Sequence, residues 1–177
     1  MHASVCDYIA DLVQNSIEAG ATQIGLTLET LEEQLKVCVK DNGKGMDAAK
    51  LKQAQDPFFS EPGKHRRRVG LGLPLLYQAA ESTGGMVNIE SAPGCGTTVK
   101  FSFNLNHPDT PPLGSFALTL TSLMSFDGEY NLTVKRTTSE GSYEISRYEL
   151  IDALGTLTEA GNIMLMRKFI SSQEESL

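Results

Sequence analysis

The segment Leu35-Lys36-Val37-Cys38-Val39-Lys40-Asp41-Asn42-Gly43-Lys44-Gly45-Met46 (residues 35–46) runs an alternating apolar stretch straight into a turn with two glycines. Leu35, Val37 and Val39 recur every second residue, the period of a strand with one buried face. Asp41 stands where the alternation stops. A carboxylate there accepts a hydrogen bond from an exocyclic amine such as that of adenine. Gly43 and Gly45 remove the Cβ atoms that would keep the backbone away from a flat ring. The same residues also fit an ordinary Asp-Gly turn with Met46 in the core.

Working outward, Ile24, Leu26 and Leu28 alternate in the same way. With residues 29–34 turning the chain, the two stretches are expected as an antiparallel hairpin. Before them, residues 4–19 carry Val5, Ile9, Leu12, Val13 and Ile17 at helical spacing, and Gly20 is the expected stop. Asp11 and Asn15 are one turn apart on the polar side of that helix, so their side chains are neighbours. An amide oxygen is a suitable Mg²⁺ ligand, and a carboxylate one turn away can orient or deprotonate a nucleophile.

Downstream, Asp47 is a candidate cap for a short helix over 48–55. Residues 56–69 hold Pro57, Pro62, Gly63 and the cations Lys64, Arg66, Arg67 and Arg68, with no hydrophobic period. A loop of that length is expected to act as a lid. Gly70-Leu71-Gly72-Leu73 opens a helix to about residue 83, and bare amides at a helix start suit phosphate oxygens. Strands are expected at 86–91 and 97–105, around Gly94-Cys95-Gly96-Thr97-Thr98. Three prolines between residues 107 and 112 mark a boundary. Beyond it the pattern predicts a helix over 115–125, a hairpin over 130–145 and further helix to about 171.

Four of these motifs, in this order, resemble the Bergerat-fold ATPase superfamily of histidine kinases, gyrase-type topoisomerases, heat-shock chaperones and mismatch-repair ATPases. Asp11-Leu12-Val13-Gln14-Asn15 is similar to its N box and Asp41-Asn42-Gly43-Lys44-Gly45 to its G1 box. Val69-Gly70-Leu71-Gly72-Leu73 is similar to its G2 box, and Gly94-Cys95-Gly96-Thr97-Thr98 to its closing glycine motif. Asn15-Ser16-Ile17-Glu18-Ala19-Gly20 also resembles the mismatch-repair branch, but Asp56-Pro57-Phe58-Phe59-Ser60 and the following lid resemble histidine kinases. The resemblance implies a two-layer α/β sandwich, the Bergerat ATP-binding fold, over residues 1–106, with a small α+β C-terminal extension over 107–177.

By that resemblance ATP and Mg²⁺ are the cofactors. Asn15 would bind Mg²⁺, and Asp41 the adenine, with Gly43, Gly45 and Met46 making its pocket. Phe58, Lys64 and Arg68 would belong to the lid. Gly70, Leu71, Gly72 and Leu73 would hold phosphates, Thr97 or Thr98 would close the site, and Asp11 would act as the base. The superfamily's base is often Glu, and Asp11 has a shorter reach. The sequence shows no phosphoacceptor hairpin ahead of the N box, so a stand-alone domain acting on a separate protein partner, a regulator or phosphoacceptor, is expected. The alternatives are a non-catalytic ATP-dependent switch and a mismatch-repair-like ATPase fragment.

The 177 residues carry 15 Lys+Arg against 22 Asp+Glu, a net charge of −7. That balance argues against a general nucleic-acid binder, which needs a basic face. No apolar run reaches the roughly 20 residues of a membrane span. Cys6, Cys38 and Cys95 are too few and too scattered for a disulfide framework or a zinc site. A cytoplasmic protein is expected.

Overall fold

A computed structural model of the chain describes residues 4–55 and 72–177. Helix α1 (Val5–Glu18) leads into β1 (Gln23–Leu31) and β2 (Gln34–Asp41). Helices α2 (Ala48–Ala54) and α3 (Gly72–Ser82) precede β3 (Met86–Ala92) and β4 (Gly96–Asn104). Then follow α4 (Phe116–Met124), β5 (Asn131–Thr138), β6 (Ser142–Ser146), α5 (Arg147–Leu154) and α6 (Ala160–Glu175). The strands form one mixed sheet in the order β3-β4-β2-β1-β5-β6. Every pairing is antiparallel except β1 with β5.

The period of two in the sequence becomes one buried face. Leu26 pairs with Val39 and Val39 with Val99, while Leu26 meets Val134 on its other side. All four are buried, together with Val37, Phe101, Phe103 and Ile145. The opposite face carries Gly25, Lys36, Lys40, Lys100 and Lys135, all exposed. Helices α1 and α3 pack on the sheet, and α4 packs on α1 and α6, so the described helices form one layer on one sheet face.

The hairpin between β1 and β2 is tighter than the pattern predicts. Leu31 pairs with Gln34, which leaves only Glu32 and Glu33 in the turn. Glu32 takes φ 52° there. No Gly or Asn marks the site, so the strand ends are hidden from sequence reading.

The residues after 107 do not cover the open sheet face. They extend the sheet sideways. Leu132 and Val134 in β5 lie beside Ile24 and Leu26 of β1 and face the same helical layer. The connecting segment also finishes α1: Val5 and Cys6 donate their backbone N–H groups to the carbonyls of Pro112 and Leu113, both at 2.9 Å. Those amides have no partner inside the helix. Ser4 completes the start, its N–H and hydroxyl both donating to the Asp7 carboxylate.

Arg147, only 7% exposed, locks the C-terminal end of α4. Its guanidinium donates to the carbonyls of Met124, Phe126 and Tyr130 at 2.8 to 3.0 Å and lies 4.2 Å over the Tyr130 ring. A planar fork of five donors can serve three carbonyls at once, where the negative end of the helix dipole favours a cation.

Candidate functional site

Where β2 ends, the inner sheet face turns polar. Asp41 is 8% exposed and accepts from three donors. Its Oδ1 accepts from the Gly43 N–H at 2.8 Å and the Thr97 N–H at 3.2 Å, and its Oδ2 accepts from the Ser16 hydroxyl at 2.7 Å. Three donors hold the carboxylate in one orientation, and four lone-pair positions leave one acceptor unused.

The glycines around Asp41 fit because nothing else would. A Cβ on Gly45 would lie 1.9 Å from the Ala92 carbonyl oxygen, and one on Gly96 1.9 Å from the Asp41 carbonyl oxygen. Both residues also have positive φ, 64° and 77°. The turn after Asp41 is thereby stitched to the turn between β3 and β4, and the Gly94 N–H donates to the Lys44 carbonyl at 2.8 Å. Asn42 braces the other side, its side-chain oxygen accepting from the N–H groups of Thr22 and Gln23, each at 2.9 Å. Gly43 sits against Ala19 at the end of α1.

Helix α1 brings the remaining groups. Asn15 is exposed and Asp11 half-buried, one turn apart. The Asp11 carboxylate lies against the start of α3, where a Cβ on Gly72 would come within 2.7 Å of its Oδ2. Leu73, the next residue, packs on the core. Helix α3 is also tied to α2, because Gln55 donates its side-chain N–H to the Tyr77 hydroxyl at 3.0 Å. Burial pushes the Tyr77 hydroxyl above its ordinary pKa, opposed by that bond.

Thus Asp11, Asn15, Asp41, Gly43, Gly45, Gly72 and Thr97 lie on elements that meet at this end of the sheet. Met46 reaches it through its backbone, its N–H donating to Ser91 Oγ at 2.9 Å. Thr98 does not share the face of Thr97. It pairs with Lys40 and Glu90, whose side chains are exposed, so strand alternation turns it away from Asp41. Phe58, Lys64, Arg68, Gly70 and Leu71, and with them the expected lid, lie outside the described residues. Sequence reading missed two hydroxyls. Ser16 touches Asp41 from 25 positions away, and Ser91 joins three segments. The local signal for Ser16 is its place beside Asn15, on the border between the polar and buried sides of α1.

Residues 4–107 match the family model described as histidine kinase-, DNA gyrase B-, and HSP90-like ATPase. The chain belongs to this family. The sensor histidine kinase ZraS of Klebsiella oxytoca is 33% identical over 101 residues, covering 55% of this chain and 21% of that protein. The sensor histidine kinase YxdK of Bacillus subtilis is 31% identical over 102 residues, covering 54% and 31%. The chain therefore spans under a third of the length of these relatives. A crystal structure of the N-terminal domain of a DNA repair protein superposes with a TM-score of 0.61 at 19% identity, covering 90% of this chain and 58% of that one. That likeness is one of fold, and it extends past residue 107 into the β5–β6 region. The fold is the α/β sandwich of histidine-kinase-like ATPase domains. Among the described residues no helix is long and apolar enough to cross a membrane.

Proposed function

We propose that this chain binds Mg²⁺-ATP and acts on its γ-phosphate, by hydrolysis or by transfer to a separate protein partner. One observation carries the reading: a carboxylate, Asp41, fixed by three donors with one acceptor position left, in a glycine-walled corner within the matched segment. Its free lone pair accepts from the adenine amino group. The carbonyl oxygen that guanine carries there would meet a second acceptor.

The metal fits the donor set. Among the described residues no three His, Cys, Asp or Glu side chains gather to hold an ion. A Mg²⁺ carried by phosphates and water needs only one or two protein oxygens, and the Asn15 amide supplies one. When bound, Mg²⁺ neutralises phosphate charge. Asn15 then orients the phosphate end, and Asp41 fixes the base end. Asp11, near the start of α3, takes the proton of the attacking water or acceptor hydroxyl.

A second reading is an ATP-dependent switch without turnover. The capping of α1 by Pro112 and Leu113, and its packing on α4, favour it, because a shift of α1 reaches the C-terminal region directly. Phosphate release and radiolabel transfer, measured on the full chain alone and with candidate acceptor proteins, separate the two. Turnover that stops in Asp11→Asn supports the enzyme. ATP binding without turnover under every condition supports the switch.

A further inference from the structure

Ser91 is the least expected part of the polar corner. It stands on β3, two strands from Asp41, and pairs with Thr97 of β4. Its Oγ accepts from the Met46 N–H at 2.9 Å and donates to the Gly96 carbonyl at 3.1 Å. It also lies 2.9 Å from Thr97 Oγ1.

The protons can be counted. A serine hydroxyl has one proton and two lone pairs. Met46 takes one lone pair. The Gly96 carbonyl has no proton to give, so that contact uses the only proton Ser91 has. The remaining contact is a hydrogen bond only if Thr97 donates into the second lone pair. All three contacts then hold together, and Thr97 Oγ1 is left with lone pairs alone.

Thr97 follows Asp41 across the sheet on the same face, since Lys40 pairs with Thr98 and the Thr97 N–H reaches Asp41 Oδ1. With its proton committed to Ser91, Thr97 adds a second pure acceptor beside the carboxylate. We propose that Ser91 is a specificity-positioning residue: by taking the Thr97 hydroxyl proton it removes an uncommitted side-chain donor from this end of the described pocket, so that a 6-amino purine is accepted and a 6-oxo purine refused. This rests on the adenine-nucleotide reading above. The amino group donates to Asp41. Among the described side chains, an oxo group in the same place meets only the lone pairs of Asp41 and Thr97. Without Ser91 the Thr97 hydroxyl is free to rotate and donate to that oxo group.

The experiment is calorimetric titration of the full chain with ATP and with ITP, which differs from ATP in carrying the 6-oxo base. Ser91→Ala is expected to narrow the ATP-over-ITP preference about tenfold, mainly by better ITP binding. Ser91→Thr, which keeps the hydroxyl, restores the preference. In a Thr97→Ala background, Ser91→Ala leaves the ratio unchanged, because no hydroxyl remains to be turned. Where Ser91→Ala fails to fold, Ser91→Cys keeps the size with a poor acceptor and must narrow the ratio too. An unchanged ratio in Ser91→Ala, or equal narrowing with and without Thr97, overturns the proposal while leaving Asp41 in place. A wild-type chain with no preference for ATP over ITP overturns both this proposal and the adenine reading.

Discussion

The Ser16 hydroxyl donates to Asp41 Oδ2 across 2.7 Å and ties helix α1 to the end of strand β2. The helix that carries Asp11 and Asn15 is thus fixed to Asp41, so the groups proposed for the two ends of a nucleotide share one connection. A hydrogen bond to a charged acceptor is worth about 1.5–3 kcal/mol. Ser16→Ala is therefore expected to lower stability by up to that range while the chain still folds, and to weaken ATP binding several-fold by freeing Asp41 to reorient. Calorimetry beside a thermal melt checks it, and unchanged affinity would remove Ser16 from the site.

Gly45 and Gly96 are expected to tolerate no side chain. Each would drive a Cβ to 1.9 Å from a backbone oxygen, and each has positive φ. Gly94 also has positive φ, 74°, but open space around it. Gly94→Ala should cost about 1 kcal/mol of stability, the price of the backbone conformation alone. Gly45→Ala and Gly96→Ala should cost several times more or prevent folding. Denaturant unfolding of the three variants ranks them, and equal losses would mean that the two turns do not interlock.

The helix and the strand alternation were legible because they are local and periodic. Asp11, Asn15 and Asp41 stood out for the same reason, each at a fixed offset within one element. What sequence did not disclose is non-local. The Ser16–Asp41 bond depends on how α1 lies over the sheet. The choice of Thr97 over Thr98 depends on the register of β4 against β2. The parallel pairing of β5 with β1 joins stretches about a hundred residues apart and leaves no local mark. Residues 107–177 therefore read as an appendage, although β5 and β6 share the sheet.

The C-terminal region is expected to be required for the fold of the first. Removing residues 107–177 strips Leu132 and Val134 from β1 and bares its edge. It also leaves the Val5 and Cys6 amides without Pro112 and Leu113. An exposed apolar edge is a template for aggregation. A chain ending at residue 106 should aggregate or bind ATP poorly. A soluble, monomeric fragment with normal ATP affinity would make 107–177 an independent module.

Burial pushes the Cys6 thiol up to about 11 from an ordinary value near 9, opposed chiefly by its hydrogen bond with Thr119. The folded state then holds a proton that the unfolded state has released. That contribution to stability is full below pH 9 and is lost as pH rises from 9 to 11, by up to about 3 kcal/mol. Wild type should lose more stability than Cys6→Ala over that window in denaturant titrations. Parallel losses in the two proteins would contradict the assignment.

The most direct test is a calorimetric titration of the full chain with a non-hydrolysable ATP analogue in Mg²⁺, on wild type and Asp41→Ala. Removing the carboxylate strands the adenine amino group, at about 1–3 kcal/mol. The expected result is saturable one-site binding in wild type, weakened about 10- to 100-fold in Asp41→Ala while both proteins melt as folded chains. Equal affinity in the two, or no binding by folded wild type, would contradict an adenine nucleotide held by Asp41.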